Sequence, residues 1–229
     1  MAGDLSVIIP AHNAAATLES TLRSASVADG LLEVVVVDDG STDGTAALVE
    51  QLIDQWSDRG GARLRLVSQP QGGPSDARNR GAREAIGGVF CFLDADDTWL
   101  SPTPDPRRSK LADDRSAVSL GQVLCLGGDP PVPTGEPFAG FFTGAALIGR
   151  QAFDAVGPFD SALSLGEDLD WFLRARESGL PLSFHPEVAL GYRLRPGSLS
   201  ARRDARSHGL LVALHHAVDR RRPDQEVSP

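Results

Sequence analysis

The chain has 229 residues, 41% of them hydrophobic and 23% charged, which is enough to bury the core of one large α/β domain, or of two small ones, without disulfide or metal staples. Its formal net charge of −9 excludes a general nucleic-acid binder, which needs a positive field. The same charge suits a protein that recruits a divalent cation through carboxylates.

The N-terminus enters a strand pattern at once, with no basic segment leading into a long apolar one, so no signal peptide is expected. Ser6 to Pro10 is the first strand, and Asn13 can cap a helix carrying Leu18, Leu22 and Ala25 on one face. Leu31 to Val37 is a second buried strand ending in Asp38-Asp39-Gly40-Ser41. Asp43 then opens a helix with Leu48, Leu52, Ile53 and Trp56 at helical spacing. Leu64 to Val67 is the third strand, and Ser75 caps a helix bearing Ala77, Ala82, Ala85 and Ile86. The fourth strand, Val89 to Leu93, runs into Asp94-Ala95-Asp96-Asp97.

Cys91 lies in that strand and Cys125 in a later apolar run, without CxxC spacing. Buried free thiols are the expectation, in a reducing, cytoplasmic setting. From Ser101 to Gly140 the chain is proline-rich and charged, with one strand candidate, Ala117 to Leu126; it reads as a surface excursion. A strand (Phe141 to Ile148), a short helix (Gln151 to Val156), a helix beginning at Glu167 and two strands (Leu182 to His185, Val188 to Leu194) follow. The last element is an amphipathic helix from about Asp204 to Arg222, presenting Leu210, Leu211, Leu214 and Val218. No stretch reaches the roughly 18 apolar residues of a membrane-spanning helix.

Apolar strands alternating with amphipathic helices predict a mostly parallel central sheet in a single Rossmann-like α/β/α sandwich. Residues 1–100 form a nucleotide-binding half, 101–200 the acceptor-side half of the same domain, and 201–229 a C-terminal helix and tail. In such sheets ligands bind beyond the carboxyl ends of the strands. Ala11-His12-Asn13, Asp38-Asp39 and Asp94 to Asp97 all follow strand ends and are therefore expected to converge.

Asp94, Asp96 and Asp97 at one strand end repel one another, and a divalent cation bridging to diphosphate oxygens would compensate that charge. The alternative is a solvated acidic turn. Asp39 can accept a base N–H or ribose hydroxyls. The loop around Gly72 and Gly73, followed by Arg78 and Arg80, offers backbone N–H groups and an arginine fork to phosphate or ribose, although it equally suits a plain turn. It is no P-loop, and no GxGxxG follows the first strand. Gly166-Glu167-Asp168-Leu169-Asp170-Trp171 opens a helix with acids in its first turn. They complement the helix dipole, and one can serve as a general base toward an acceptor hydroxyl.

These stretches, Ser6 to Asn13, VVVVDDGSTDGT, GGPSDARNRG, FLDADD and GEDLDW, resemble in type and order the family 2 glycosyltransferases of GT-A fold, from about Ser6 to Ser200. The resemblance implies sugar transfer from a nucleoside diphosphate donor (UDP-, GDP- or dTDP-linked) with inversion, aided by Mn²⁺ or Mg²⁺. It implies donor contacts from Pro10, Ala11, His12, Asn13, Asp39, Gly73, Arg78, Asp94, Ala95 and Asp96, with Asp96 and Asp97 at the metal. Asp168 matches the catalytic base, while Glu167, Trp171, Arg195 and Ser198 are candidate diphosphate or acceptor contacts. Many relatives carry an aromatic residue where His12 stands. Histidine often replaces Arg195, and an arginine there cannot ligate the metal but can contact diphosphate.

Two other readings remain at the sequence level. A sugar nucleotidyltransferase would show a glycine-rich basic loop after the first strand, where this chain has Ala-His-Asn-Ala-Ala-Ala. A catalytically degenerate member would bind nucleotide sugar without turnover. The acceptor, whether glycan, lipid-linked, peptide or small molecule, leaves no signature. The eight arginines against two aspartates between Arg193 and Arg222 read either as a peripheral contact with an anionic membrane or as a solvated helix face.

Overall fold

The structure is a computed structural model that describes residues 4–56, 62–103, 105–163 and 165–194. Arg195, Ser198 and the expected C-terminal helix lie outside them.

Strands β1 (Leu5–Ala11), β2 (Leu31–Asp39), β3 (Arg63–Gln69) and β4 (Val89–Phe92) alternate with helices α1 (Leu18–Ala25), α2 (Thr45–Trp56) and α3 (Pro74–Glu84). After β4 come β5 (Thr98–Trp99), α4 (Arg107–Asp113), β6 (Val118–Gly127), β7 (Val132–Pro133) and β8 (Phe138–Ala139). A 3-10 turn at Thr143–Ala145, β9 (Ala146–Gly149), α5 (Arg150–Val156), α6 (Glu167–Glu177) and β10 (Leu182–Arg193) complete the described chain.

One sheet runs through all of it in the order β3-β2-β1-β4-β9-β6-β10-β5. The strands from β3 to β4 are parallel, whereas β9 runs antiparallel to both β4 and β6. Two reversals restore direction, so β6 and its parallel partner β10 end on the same edge of the sheet as β1, β2 and β4.

Alternation along the strands sorts the core onto two faces. Val7, Ile9, Val34, Val36 and Cys91 pack with Leu18 and Leu22 of α1, Val49 and Trp56 of α2 and Leu111 of α4. Ile8, Phe90, Phe92, Leu120 and Ile148 pack with Ala82 of α3, Phe153 of α5 and Trp171 and Phe172 of α6. The result is a three-layer α/β/α sandwich.

Several expectations need correction. Asn13 does not cap α1: it sits at φ 50°, and its side-chain oxygen accepts the Thr42 N–H at 2.8 Å, tying the first loop to the second. Gly73, at φ 93°, rather than Ser75 is the N-cap of α3, because Pro74 supplies the preset first helical residue. Ile86 falls beyond that helix and is 57% exposed. The strand expected from Phe141 begins only at Ala146, after the 3-10 turn. The two strands expected from Leu182 onward are one, β10, whose pairing to β6 is interrupted between Phe184 and Val188, around Pro186, which has no N–H to give the ladder.

The largest correction concerns residues 101–140. As a whole they are no surface excursion, because β6 is an interior strand between β9 and β10, and only residues 128–140 after it lie mostly exposed. Arg107 is 1% exposed; its guanidinium donates to Asp105 at 2.6 Å, to the Ala145 carbonyl at 2.8 Å and to Ser101, and lies 5.2 Å from the Trp99 ring centroid. This buried knot satisfies the charge and fastens α4 to the sheet.

Candidate active site

At the common strand edge lies a cleft of about 910 Å³. Its walls come from the ends of β1, β2 and β4, the start of α3, the start of α6 and the ends of β6 and β10. Pro10, Ala11, His12, Asn13, Asp39, Gly73, Arg78, Asp94, Ala95, Asp96, Asp97, Glu167 and Asp168 all line it. The convergence expected from the strand ends is therefore present.

The first two loops are braced against each other. His12 Nδ1 is 2.8 Å from the Asp39 carbonyl, which can only accept, so Nδ1 carries the proton. Nε2 then faces the amide groups of Asn13 and Gln71, at 3.2 and 3.3 Å. The Asp39 carboxylate accepts from Gln69 Nε2 and the backbone N–H groups of Gly72 and Gly73, each at 2.8 Å. Its visible work is to shape the glycine loop, which sets the start of α3.

Arg78 projects from α3 between two carboxylates, donating to Asp94 at 2.7 Å and to Glu167 at 2.6 Å. It is 4% exposed, its Nε has no partner, and these anions hold its guanidinium firmly protonated despite burial. A single arginine thus joins the acidic turn after β4 to the start of α6. Arg80, by contrast, turns away to pair with Glu84 at 2.9 Å.

The acidic turn is not a merely solvated one. The Thr21 hydroxyl lies 3.1 and 2.8 Å from the carbonyls of Ala95 and Asp97, and the Arg193 N–H donates to Asp97 at 2.8 Å. Asp97 is 3% exposed. Burial first, then the charges of Asp94 and Asp96, push its carboxyl well above the usual range.

The start of α6 is fixed from α3 and from its own next turns. Asn79 exchanges two hydrogen bonds with the backbone of Phe159, at 2.8 and 2.9 Å. Arg174 donates to the carbonyls of Val156 and Pro158, and Trp171 Nε1 to that of Gly157. Asp168 is thereby held half-buried in the cleft. Desolvation, with Glu167 alongside, pushes its carboxyl up to about 6, partly opposed by Arg78 and the Leu169 N–H.

Trp171 is not a ligand contact. It is fully buried, its ring 6.0 Å from those of Phe153 and Phe159, because its place on α6 faces the sheet. Cys91 is buried as expected, but Cys125 is only half-buried and lines the cleft. Sequence reasoning also missed Phe138, Phe142, Tyr192 and Arg193 in the cleft wall. The aromatic density of GEPFAGFFTG was the available signal for the first two.

The sequence model described as "Glycosyl transferase family 2" matches residues 6–159, more than half of the chain. The chain belongs to glycosyl transferase family 2. Among its relatives is the amylovoran biosynthesis glycosyltransferase AmsB of Erwinia amylovora, 36% identical over 211 residues, covering 82% of this chain and 69% of that protein. The fold is that of two solved glycosyltransferase structures. A crystal structure of GalNAc-T7 with UDP, GalNAc and Mn²⁺ superposes with a TM-score of 0.72 at 19% identity, over 92% of this chain and 48% of that one. The mannosyltransferase PcManGT of Pyrobaculum calidifontis, in complex with GDP-Man and Mn²⁺, gives 0.69 at 23% identity, over 96% and 65%. The family 2 chain therefore has a GT-A fold, as its motifs implied. It spans between 62% and 69% of the length of curated relatives matched over most of this chain.

Proposed function

We propose that this chain transfers a sugar from a nucleoside diphosphate donor to an acceptor hydroxyl, with inversion at the anomeric carbon and Asp168 as general base. The observation that carries the reading is the Asp168 carboxyl, raised to about 6 and sharing one cleft with Asp94, Asp96 and Asp97. A base with that affinity is ionised near neutrality yet holds a proton well enough to draw one from a hydroxyl.

In the proposed step the acceptor oxygen forms a bond to the anomeric carbon as the bond to the diphosphate oxygen breaks. The leaving electron pair goes to the diphosphate, and the acceptor proton goes to a carboxylate oxygen of Asp168. Pro10, Ala11, His12 and Asn13 would hold the base and ribose, with Asp39 keeping Gly72 and Gly73 in place beneath them. Arg78, in the cleft wall between Asp94 and Glu167, would bring positive charge toward the diphosphate. Direct displacement by one base gives inversion, and no covalent intermediate is needed.

The donor set at the acidic turn fits a divalent cation. Burial first, and then the neighbouring charges of Asp94 and Asp96, raise Asp97, and a hard cation would relieve the charge part of that cost. Asp96 and Asp97 are the residues that would hold the ion, although among the described residues no three acidic, histidine or cysteine side chains are gathered as a cation cage. When bound, such an ion supplies charge stabilisation to the departing diphosphate. UDP with Mn²⁺ in one fold neighbour and GDP-Man with Mn²⁺ in another support nucleotide sugar and metal together, and leave both UDP- and GDP-linked donors in play.

The test is donor turnover with Mn²⁺ across UDP-, GDP- and dTDP-sugars. Asp168→Asn is expected to keep donor affinity while lowering turnover by about 10²- to 10⁴-fold, the usual weight of a general base. A parent chain that binds donor but turns it over with none of a broad acceptor panel would be a binding protein instead.

A further inference from the structure

Along the strand edge, β2, β1 and β4 carry Asp39, His12 and the acidic turn, while the far end, β6 and β10, carries a different chemistry. There Phe138, Phe142 and Tyr192 line the same cleft. Their rings meet edge to face in series, with centroids 5.9 Å apart for Phe138–Phe142 and 5.4 Å for Phe142–Tyr192. Phe142 and Tyr192 pack on the core, which fixes the row. Phe138, on the two-residue strand β8 against Val123, remains 40% exposed. A phenylalanine ring gains by leaving water, so a rigidly backed ring left open in a cleft is a feature to account for.

The surrounding charge narrows the occupant. Carboxylates outnumber arginines in the cleft (Asp39, Asp94, Asp96, Asp97, Glu167 and Asp168 against Arg78 and Arg193), and the diphosphate proposed above would claim Arg78 and the metal, so a second anion beside it is disfavoured. An uncharged pyranose meets both chemistries, its C–H face against aromatic rings and its hydroxyls toward carboxylates. Pro10 to Asn13, Asp39 and Gly73, proposed above for base and ribose, lie on the β1, β2 and α3 side, while this wall lies beyond the acidic turn, where the Arg193 N–H meets Asp97, so it falls on the acceptor side. We propose that Phe138, Phe142 and Tyr192 form the acceptor platform and that the acceptor presents an uncharged pyranose ring to it. The inference rests on the transferase reading above and names its acceptor class.

Tyr192 is the single tyrosine of the chain, so ring-labelled tyrosine reports on this wall alone. The full chain, with UDP or GDP and Mg²⁺, is titrated with the methyl glycosides of β-glucose, β-galactose, α-mannose and N-acetyl-β-glucosamine. At least one glycoside is expected to shift the Tyr192 ring resonances saturably. Phe138→Ala should weaken that glycoside about five- to tenfold, Phe138→Trp should restore it, and nucleotide affinity should stay within about twofold. The platform is overturned if no glycoside moves Tyr192, if Phe138→Ala binds the glycoside as tightly as the parent, or if that variant loses nucleotide affinity to the same extent. Failure of the transferase reading shows separately, as glycoside binding by a parent that turns over no donor.

Discussion

At Asp168 one carboxyl carries both a functional and a stability consequence. Its folded-state affinity, about 6, lies above that of an unfolded aspartate, so folding binds a proton. The resulting stability is fully present below about pH 4 and is lost as pH rises through about 6. At pH 7.5 the ionised group is therefore a burden. Asp168→Asn should raise stability there by on the order of 1–2 kcal/mol, discounted from the full shift because the carboxyl is partly in water. Urea titrations of both chains at pH 7.5 and pH 4 check this; an advantage that persists at pH 4 would point to another cause. Arg78 opposes the elevation, and removing a neighbouring cation makes a carboxylate harder to ionise. Arg78→Met is accordingly expected to move the acid limb of residual turnover above pH 6. It should also cost about 3 kcal/mol, since Glu167 is left without its cation. An unmoved limb would break the link between the two residues.

Among the elements, α3 does the most positioning. It carries the Gly73 turn, Arg78 and Asn79, and so touches the end of β2, the acidic turn and the approach to α6. Its distance from the sheet is set at Gly81, where an added Cβ would come 2.3 Å from Ile8 Cγ2 and 3.2 Å from Val37 Cγ2. Alanine is the better helix former by about 1 kcal/mol, yet α3 would have to lift off β1 to admit it. We expect Gly81→Ala to lose about 1–2 kcal/mol in denaturant titration and to weaken nucleotide binding together with it. A neutral or more stable variant would show that the helix has room to move. The knot of Arg107, Asp105 and Ser101 plays the corresponding part for α4, holding a charged, proline-containing segment against Ala145 beside the cleft.

For the molecule as a whole, the site belongs to no single element, so ligand binding should be felt as global stability. A donor at about 100 times its Kd adds about 2.7 kcal/mol, which is several degrees of Tm at this size. With Mn²⁺ a matching nucleotide sugar is expected to give that rise, and most of it should vanish on adding EDTA. Equal stabilisation after chelation would remove the metal from the proposal. The acidic balance fits this dependence, since a chain with net charge −9 gathers carboxylates at the cleft without cationic side chains to match them all.

The first hundred residues were legible because their information is local. Buried runs such as Val34 to Val37 show strand periodicity, α2 shows helical spacing, and a parallel sheet puts every loop after a strand on one edge. His12, Asp39, Arg78 and Asp94 could therefore be brought together on paper. The central place of β6 could not, because it depends on pairing with β9 and β10, which lie well downstream, while its own flanks are prolines and charges. Nor could a linear pattern tell that Trp171 turns into the core while Asp168, three positions earlier on the same helix, opens to the cleft. The sequence by itself determined the chemistry at the strand ends. Only the tertiary structure decided the rest: which carboxylates Arg78 joins, and which aromatic rings face them, both outcomes of long-range packing that no local period encodes.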